Sequence, residues 1–151
     1  MGSIRFKKVG TYGCLSNFTM CHIEFDGISY KSSEAAWQAQ KCTHEADREK
    51  FSNLSPSAAK KLGRQVKLRN DWEKVKYQLM IDVCYAKFSQ NKDLADVLLS
   101  TGEAELIEDT SGWHDNIWGD CKCAKCRNIK GQNLLGKALM EVREKLKEEA
   151  K

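Results

Sequence analysis

Residues 32–41 read Ser-Ser-Glu-Ala-Ala-Trp-Gln-Ala-Gln-Lys, and here the residue pattern changes from strand-like to helical. The segment directly before it, residues 22–30, carries four apolar side chains that flank an Asp-Gly pair: Ile23, Phe25, Ile28 and Tyr30. Asp-Gly supplies the positive φ angles of a two-residue turn, and the four apolar residues then share one face. The sequence therefore predicts a β-hairpin followed by a helix.

Capping signals and apolar spacing predict helices over most of the remaining chain. Residues 55–56 (Ser-Pro) and Gly63 mark the start and end of one helix. Residues 70–73 (Asn-Asp-Trp-Glu) resemble a capping box, and Asn91 and Asn133 are predicted to cap two later helices. Residues at helical spacing predict the buried stripes of the second and the last of these helices: Trp72, Val75, Leu79, Val83 and Ala86, then Leu135, Leu139, Val142 and Leu146.

Two segments have strand character outside the hairpin. Residues 4–6 (Ile-Arg-Phe) predict a short strand, and residues 104–109 are ambiguous, with a short strand as one interpretation. No internal repeat or linker interrupts the 151 residues. We therefore predict a helix-rich α+β fold, a single domain over residues 1–151 with a small antiparallel sheet from the N-terminal part.

The composition is ordinary for a globular protein, with 41% apolar and 30% charged residues. No apolar run approaches the roughly 20 residues of a membrane helix, and the N-terminus lacks the apolar core of a signal peptide. Seven cysteines without a secretion signal indicate reduced thiols, so we expect a cytoplasmic protein without membrane contact. The net charge of +4 fits an anionic ligand as well as ordinary surface lysines.

Glu34 lies in the first turn of the helix predicted from residue 33. The helix dipole and the free amides at that end favour an ionised carboxylate, which suits a base or a charge stabiliser. Trp37, Gln38 and Lys41 follow at spacings of three, four and seven, so they share its helical face. The alternative is an ordinary helix-start glutamate with Trp37 in the core.

A second candidate segment, residues 112–120, has no amphipathic periodicity and is predicted to be an irregular loop. It holds Asp115 and Trp118, three residues apart, and such loops are often functional. Acids beside planar aromatics suit a pocket that holds a flat base and acts on its bond to a sugar. Trp118 could equally cover the core, and Trp72 could be plain helix packing.

A basic stretch follows Gly63 and joins two predicted helices. Arg64 and Arg69 could hold a phosphate by forked hydrogen bonds, with Lys67 between them, or the stretch could be a solvated loop.

Three closely spaced cysteines, Cys121, Cys123 and Cys126, form the main rival to a catalytic carboxylate pair. Three thiolates at this spacing could hold a structural zinc, with a fourth ligand from His114, Cys14 or Cys21. Reduced loop thiols are the alternative. Neither a Walker loop nor a G-x-G-x-x-G motif is present, so the sequence gives no support for nucleotide hydrolysis at the phosphates or for hydride transfer.

Several short motifs follow one another along the chain, at residues 13–18, 30–41, 63–64, 68–72, 86–88, 115–120, 131–136 and 139–143. Each motif is weak alone, but their shared order over nearly all of the chain is specific. In this order the chain resembles the NADAR, or YbiA-like, domain family from end to end.

The resemblance implies a helix-rich α+β fold and an N-glycosidase that cleaves a base from ribose without a required cofactor. It implies two substrate classes, which are riboflavin-pathway intermediates carrying ribose 5-phosphate and ADP-ribosylated guanine in nucleic acid. The family's site residues correspond here to Glu34, Trp72, Asp115 and Trp118. Asn17 and Phe18 of the Leu-Ser-Asn-Phe motif are expected to line the pocket, and residues 131–136, which include Asn133, to close it.

Cleavage of a ribosyl N–C bond develops positive charge on the sugar, which a carboxylate stabilises. Our hypothesis is that Glu34 or Asp115 activates water and the other steadies the ribosyl cation, with Glu34 favoured as the base. Trp118 and Trp72 would stack on the base, and Lys41, Arg64 and Arg69 would hold phosphate. The alternatives are a zinc-containing module that binds ADP-ribose or nucleic acid without turnover, and a purely structural protein. The sequence leaves the oligomeric state open.

Overall fold

The computed structural model of the protein describes residues 2–151, which form two compact units. Residues 17–95 make up one unit, called the central unit below. Residues 2–16 and 96–151 make up the other, called the terminal unit.

The central unit begins with the predicted hairpin. Strands β2 (Ile23–Phe25) and β3 (Ile28–Tyr30) pair antiparallel, with Ile23 opposite Tyr30 and Phe25 opposite Ile28. Asp26 and Gly27 have φ angles of 51° and 83°, which is the left-handed backbone that a two-residue turn needs. The prediction from the Asp-Gly pair is confirmed.

Four helices of this unit follow the hairpin, and a fifth begins within it. They are α1 (Ser33–Ala39), α2 (Glu45–Glu49), α3 (Pro56–Gly63), α4 (Trp72–Gln90) and α5 (Lys92–Ser100). All seven residues of α1 are buried, because this helix packs against α3, α4 and both hairpin strands. Residues 33–39 therefore form the centre of this unit, and alanines at three of those positions allow close packing.

The helix starts are predicted with mixed success. The Ser55 side chain accepts a hydrogen bond from the Ala58 amide at 3.2 Å, as a capping serine should. The prediction of a capping box at residues 70–73 is wrong, because Asp71 occupies the N-cap position of α4 and makes no side-chain capping bond. Its carboxylate pairs with Arg69 instead, at 2.7 Å.

The predicted stripe of α4 is also partly wrong, since Val75 and Leu79 are only half-buried. This helix contacts both α1 and β2, so burial extends beyond one stripe. Its buried residues are Trp72, Met80, Val83, Cys84, Ala86, Lys87 and Phe88.

The terminal unit contains a parallel strand pair that the sequence did not reveal as a pair. Strand β1 (Ser3–Phe6) lies beside β4 (Glu105–Glu108), with Ser3 opposite Glu105. Helix α6 (Leu134–Glu149) packs on β4. A strand was predicted over residues 4–6 and was one interpretation of residues 104–109, and the antiparallel hairpin is only one of two small sheets.

Asn133 occupies the N-cap position of α6 as predicted, but its side chain makes no capping bond. Its backbone is left-handed, with φ of 54°. Its amide instead bridges to β4, where Nδ2 donates to the Leu106 carbonyl at 2.8 Å and Oδ1 accepts from the Glu108 amide at 3.0 Å. Three residues of the predicted α6 stripe are buried, and Leu146 is half-buried.

The helix-rich α+β class is confirmed, with six α-helices and two two-stranded sheets among residues 2–151. The assignment of residues 1–151 to one domain stays a prediction. No helix in this described range combines the length and apolar composition of a membrane span.

Candidate active site

Helix α1 holds Glu34 in its first turn with well-defined local contacts. The Ser32 side chain caps the helix by accepting from the Ala35 amide at 3.1 Å. The Glu34 amide donates to the Asn17 carbonyl at 3.1 Å, which joins the helix start to the segment before the hairpin. The Glu34 residue is only 8% exposed, so its carboxylate is held in a largely water-excluded position.

Gln38, one helical turn after Glu34, binds its carboxylate directly. Gln38 Nε2 donates to Glu34 Oε2 at 2.7 Å. The other end of this amide, Oε1, is buried without a hydrogen-bond partner among the described residues. A side chain at Gly63 would overlap the Gln38 amide, so the glycine makes room for this arrangement.

Lys41 supplies a cation beside this pair. Its Nζ donates to the Gly63 carbonyl at 3.3 Å and lies 5.7 Å and 5.8 Å from the ring centroids of Trp37 and Trp72. Burial lowers the pKa of Lys41, and the negative charge of Glu34 opposes that shift. The predicted shared face of Glu34, Gln38 and Lys41 is therefore a contiguous polar group in the structure.

Trp72 packs against Trp37 with ring centroids 5.0 Å apart and planes tilted by 52°. Both indoles are buried, and Trp37 Nε1 donates to the Lys76 carbonyl at 3.1 Å. This geometry fits the helix-packing alternative for Trp72. Stacking of Trp72 on a substrate base stays a prediction.

Asn17 and Phe18 lie at the start of the central unit. The amide oxygen of Asn17 accepts from the Ser33 hydroxyl at 2.8 Å, and its Nδ2 lies 3.5 Å from the Met80 sulfur. Phe18 is half-buried, with the Lys60 ammonium 5.9 Å from its ring centroid. Asn17 therefore supports the start of α1 directly, whereas pocket lining by both residues stays a prediction.

The two arginines predicted to hold phosphate are placed differently. Arg69 binds both carboxylate oxygens of Asp71, at 2.7 Å and 3.3 Å, and this hydrogen bonding lowers the pKa of Asp71. Arg69 also lines a cavity of about 590 Å³ together with His44, Lys50 and Lys67. Arg64 is exposed, and its positive charge adds to the lowering of the Lys41 pKa.

In the terminal unit, Asp115 shapes the loop that carries Trp118. Asp115 Oδ1 accepts from the amides of Ile117 at 2.8 Å and Trp118 at 2.9 Å. Asp115 and Trp118 are both half-buried, and their backbones bond to Thr110 and Leu135 respectively. One carboxylate oxygen thus has a turn-forming role that the sequence reasoning did not anticipate.

The three cysteines of the same loop converge on His114, as one of the sequence alternatives proposed. One donor atom from each of His114, Cys121, Cys123 and Cys126 lies within 4.8 Å of all the others. A hydrogen bond from Cys121 lowers the pKa of the Cys123 thiol to about 6. This group could hold a metal ion.

With this geometry in place, comparison with known proteins identifies the family. The sequence profile of the NADAR domain matches residues 5–147. The chain belongs to this family. N-glycosidase YbiA of Shigella boydii is 42% identical over 138 residues, which cover 89% of this chain and 82% of that protein.

Two further NADAR comparisons extend this result. The NMR structure of the Escherichia coli protein YbiA matches with a TM-score of 0.84 and 39% identity, covering 99% of this chain and 87% of that one. A riboflavin biosynthesis protein of Vibrio vulnificus is 37% identical over 142 residues, or 92% of this chain and 37% of that protein. The predicted fold and the predicted enzyme class, an N-glycosidase, are confirmed.

Within this NADAR fold the predicted site residues divide between the two units. Glu34, Lys41 and Trp72 meet in the central unit, which also holds Asn17, Phe18, Arg64 and Arg69. Asp115, Trp118 and Asn133 belong to the terminal unit. Convergence of Glu34 and Asp115 on one substrate stays a prediction.

Sequence reasoning missed the supporting role of Gly63 and the bond between Ser33 and Asn17. The spacing of four between Glu34 and Gln38 is a signal for their contact, because such residues are neighbours on a helix. Gly63 gave no comparable signal, since its contact with Gln38 crosses 25 positions of the chain.

Proposed function

We propose that this NADAR protein hydrolyses the base–ribose N-glycosidic bond of a phosphate-bearing ribosylated substrate. The two candidate substrate classes are an early riboflavin-pathway intermediate and ADP-ribosylated guanine, free or in nucleic acid. The observation that carries the proposal is the buried Glu34 carboxylate, which Gln38 orients at 2.7 Å and the Lys41 cation accompanies. The N-glycosidase names of the family's relatives support the same reaction class.

In the proposed reaction, Glu34 accepts a proton from water as the water oxygen bonds to the anomeric carbon. The bond between that carbon and the base nitrogen breaks, the base leaves with the electron pair and takes up a proton from solvent, and Glu34 later returns its own proton to solvent. The ribosyl ring carries positive charge in the transition state, which a nearby carboxylate stabilises. Burial strengthens that stabilisation because little water screens it.

Asp115 has the second role in this proposal. Its Oδ1 already accepts hydrogen bonds from two backbone amides. This supports a role for the other carboxylate oxygen, Oδ2, in binding a ribose hydroxyl or stabilising the ribosyl cation. This division of labour leaves water activation to Glu34. Trp118, on the same turn, stacks on the base.

The remaining predicted residues bind the rest of the substrate. Lys41, Arg64 and Arg69 attract the phosphate groups, and Asn17, Phe18, Trp72 and Asn133 line or support the pocket. The reaction as written needs no cofactor. None of the seven cysteines is in a disulfide, which supports a reducing, cytoplasmic location.

A second candidate function is a zinc-containing module that binds ADP-ribose or nucleic acid without turnover. The observation that favours it is the convergence of His114 and three cysteines beside Asp115. Zinc content alone is compatible with both functions, so base release decides between them.

The test is mass spectrometry of base release from both substrate classes in single-turnover reactions. We expect the wild-type protein to release base from at least one class. We expect Glu34→Gln and Asp115→Asn each to slow release by about two to four orders of magnitude, the usual contribution of acid–base groups. Glu73→Gln is the matched control, because Glu73 also lies in the first turn of a helix but is exposed.

Near-normal base release by both site variants would remove Glu34 and Asp115 from the mechanism. Binding of ADP-ribose without base release from either class would favour the second candidate.

A further inference from the structure

The loop over residues 110–131 lacks the regular structure that stabilises the rest of the terminal unit. It contains only one 3₁₀ turn, Ala124–Cys126, and a single bridge from Asp120 to Asp109, and its side chains Trp113, Ile117 and Ile129 are exposed. A segment of this length with little buried apolar surface needs another source of order. The cysteine–histidine cluster lies within this loop.

The donor atoms of the cluster lie close to one another. His114 Nδ1 lies 3.5, 3.2 and 3.7 Å from the sulfurs of Cys121, Cys123 and Cys126. Zinc bonds are about 2.3 Å long to sulfur and about 2.0 Å long to nitrogen. In a tetrahedral site these bond lengths place a ligand sulfur and a ligand nitrogen about 3.5 Å apart. One imidazole nitrogen cannot form three good hydrogen bonds, but it can share one metal ion with three sulfurs.

The backbone around the cluster also has features that suit metal binding. His114 has a φ of 59°, in the left-handed region that only a few per cent of non-glycine residues adopt, histidine more often than most. The Cys123 amide points at the Cys121 sulfur at 3.5 Å, and the Cys121 amide donates to Asn116 Oδ1 at 2.9 Å. An amide directed at sulfur favours the thiolate form, which is the form that binds metal.

The donor set and the local charge select the kind of ion. Three thiolates with one imidazole suit zinc and are poor ligands for magnesium or calcium. Zinc with three thiolates has a net charge of about −1, which the exposed basic side chains of the same loop offset. These are Lys122, Lys125, Arg127 and Lys130.

We propose that His114, Cys121, Cys123 and Cys126 form a structural zinc site that orders residues 110–131. Four protein ligands close the tetrahedron, so the ion has no open position for substrate or water. His114 directly precedes Asp115, so the ion holds the turn that carries Asp115 and Trp118. The relevance of that turn to catalysis rests on the proposed function, whereas the metal site does not.

Metal content of the full chain, kept reduced with a phosphine, is the first test. We expect about one zinc per chain and, after removal and reloading, a dissociation constant below about 100 nM. Cobalt(II) in place of zinc should give the intense thiolate charge-transfer bands and tetrahedral d–d bands of a sulfur-rich site. These readouts use the wild-type protein and do not depend on activity.

Variants then assign the ligands. Cys123→Ser should abolish the cobalt bands, and His114→Ala should shift the d–d bands while keeping charge transfer. Cys14→Ser and Cys21→Ser are matched controls, because neither cysteine belongs to the cluster, and they should bind one zinc. Chelation of the wild-type protein should speed amide exchange over residues 110–131 but leave α4 unchanged.

Less than about 0.1 zinc per chain after loading with excess Zn²⁺ would overturn the proposal, because a closed site of this type binds tightly. Iron in place of zinc, or loss of binding in Cys14→Ser or Cys21→Ser but not in Cys123→Ser, would overturn it as well. Base release with zinc absent would leave the proposed function standing, so the two proposals fail separately.

Discussion

Glu34, Gln38 and Lys41 show how far helical spacing predicts a local polar group. Their positions one and two turns apart place them on one face, and the structure has Gln38 bound to Glu34 and Lys41 beside them. Spacing did not reveal that Gly63 makes room for the Gln38 amide. A residue on another helix completes this group, and only the packing of α1 against α3 brings it there.

Gly63→Ala tests this packing at the level of one methyl group. The added Cβ overlaps the Gln38 amide, so Gln38 must move and Glu34 loses its orienting bond. We expect base release to slow on the order of 100-fold, which is a typical cost of misplacing a catalytic group by about 1 Å. The free energy of unfolding should fall by about 1–3 kcal/mol, because overpacking and the lost bond to a buried carboxylate outweigh the gain of up to about 1 kcal/mol in helix propensity.

Gly2→Ala is the control for this substitution, since nothing lies within 4 Å of the added Cβ. An unchanged rate in Gly63→Ala would show that the Gln38–Glu34 bond does not position the carboxylate.

Helix starts were predicted less well where the side chain at the N-cap position has another hydrogen-bond partner. Asp71 and Asn133 occupy the N-cap positions of α4 and α6, but the Asp71 side chain pairs with Arg69 and the Asn133 side chain binds strand β4. Capping is worth about 1 kcal/mol, so one or two competing hydrogen bonds can replace it. Ser55 caps α3 as predicted, and its hydroxyl bonds the amide three residues ahead.

Asn133→Gly and Asn133→Ala separate the two roles of this residue. Glycine keeps the left-handed backbone but loses both bonds to β4, so we expect the free energy of unfolding to fall by about 1–3 kcal/mol. Alanine should cost about 1 kcal/mol more, because its Cβ disfavours φ of 54°. Urea unfolding measures both, with the exposed Asn53→Ala as control. Equal stability of glycine variant and wild type would show that the bonds contribute nothing net.

Stability as a function of pH belongs to the whole molecule, because it sums over every group whose pKa changes on folding. Tyr30 is such a group. Burial raises the pKa of Tyr30 to about 12, although the positive charge of Arg48 opposes the shift. Its hydroxyl has no hydrogen-bond partner of good geometry among the described residues.

A raised pKa means that the folded protein retains this proton longer than the unfolded chain does. The contribution of the protonated Tyr30 to folding stability is complete below about pH 10, the ordinary tyrosine pKa. It is lost as the pH rises toward about 12, the pKa in the folded protein. We expect wild-type protein to lose more stability than Tyr30→Phe between these values, as measured by thermal unfolding. Equal losses in the two proteins would mean that Tyr30 ionises normally in the folded state.

The sequence by itself determined the hairpin, the main helices, the α+β class and the family. These depend on residues near one another in the chain, such as Asp26 and Gly27, or on motif order over its whole length. It also indicated the cysteine cluster, because three of the four donor atoms come from six consecutive positions, 121–126.

Only the tertiary structure decided the parallel pairing of β1 with β4, the contact of Gly63 with Gln38 and the choice of His114 over Cys14 or Cys21. Local propensity and spacing report on residues within one or two turns. Pairings between distant segments depend instead on burial and hydrogen bonding summed over the packed chain, which no short stretch of sequence encodes.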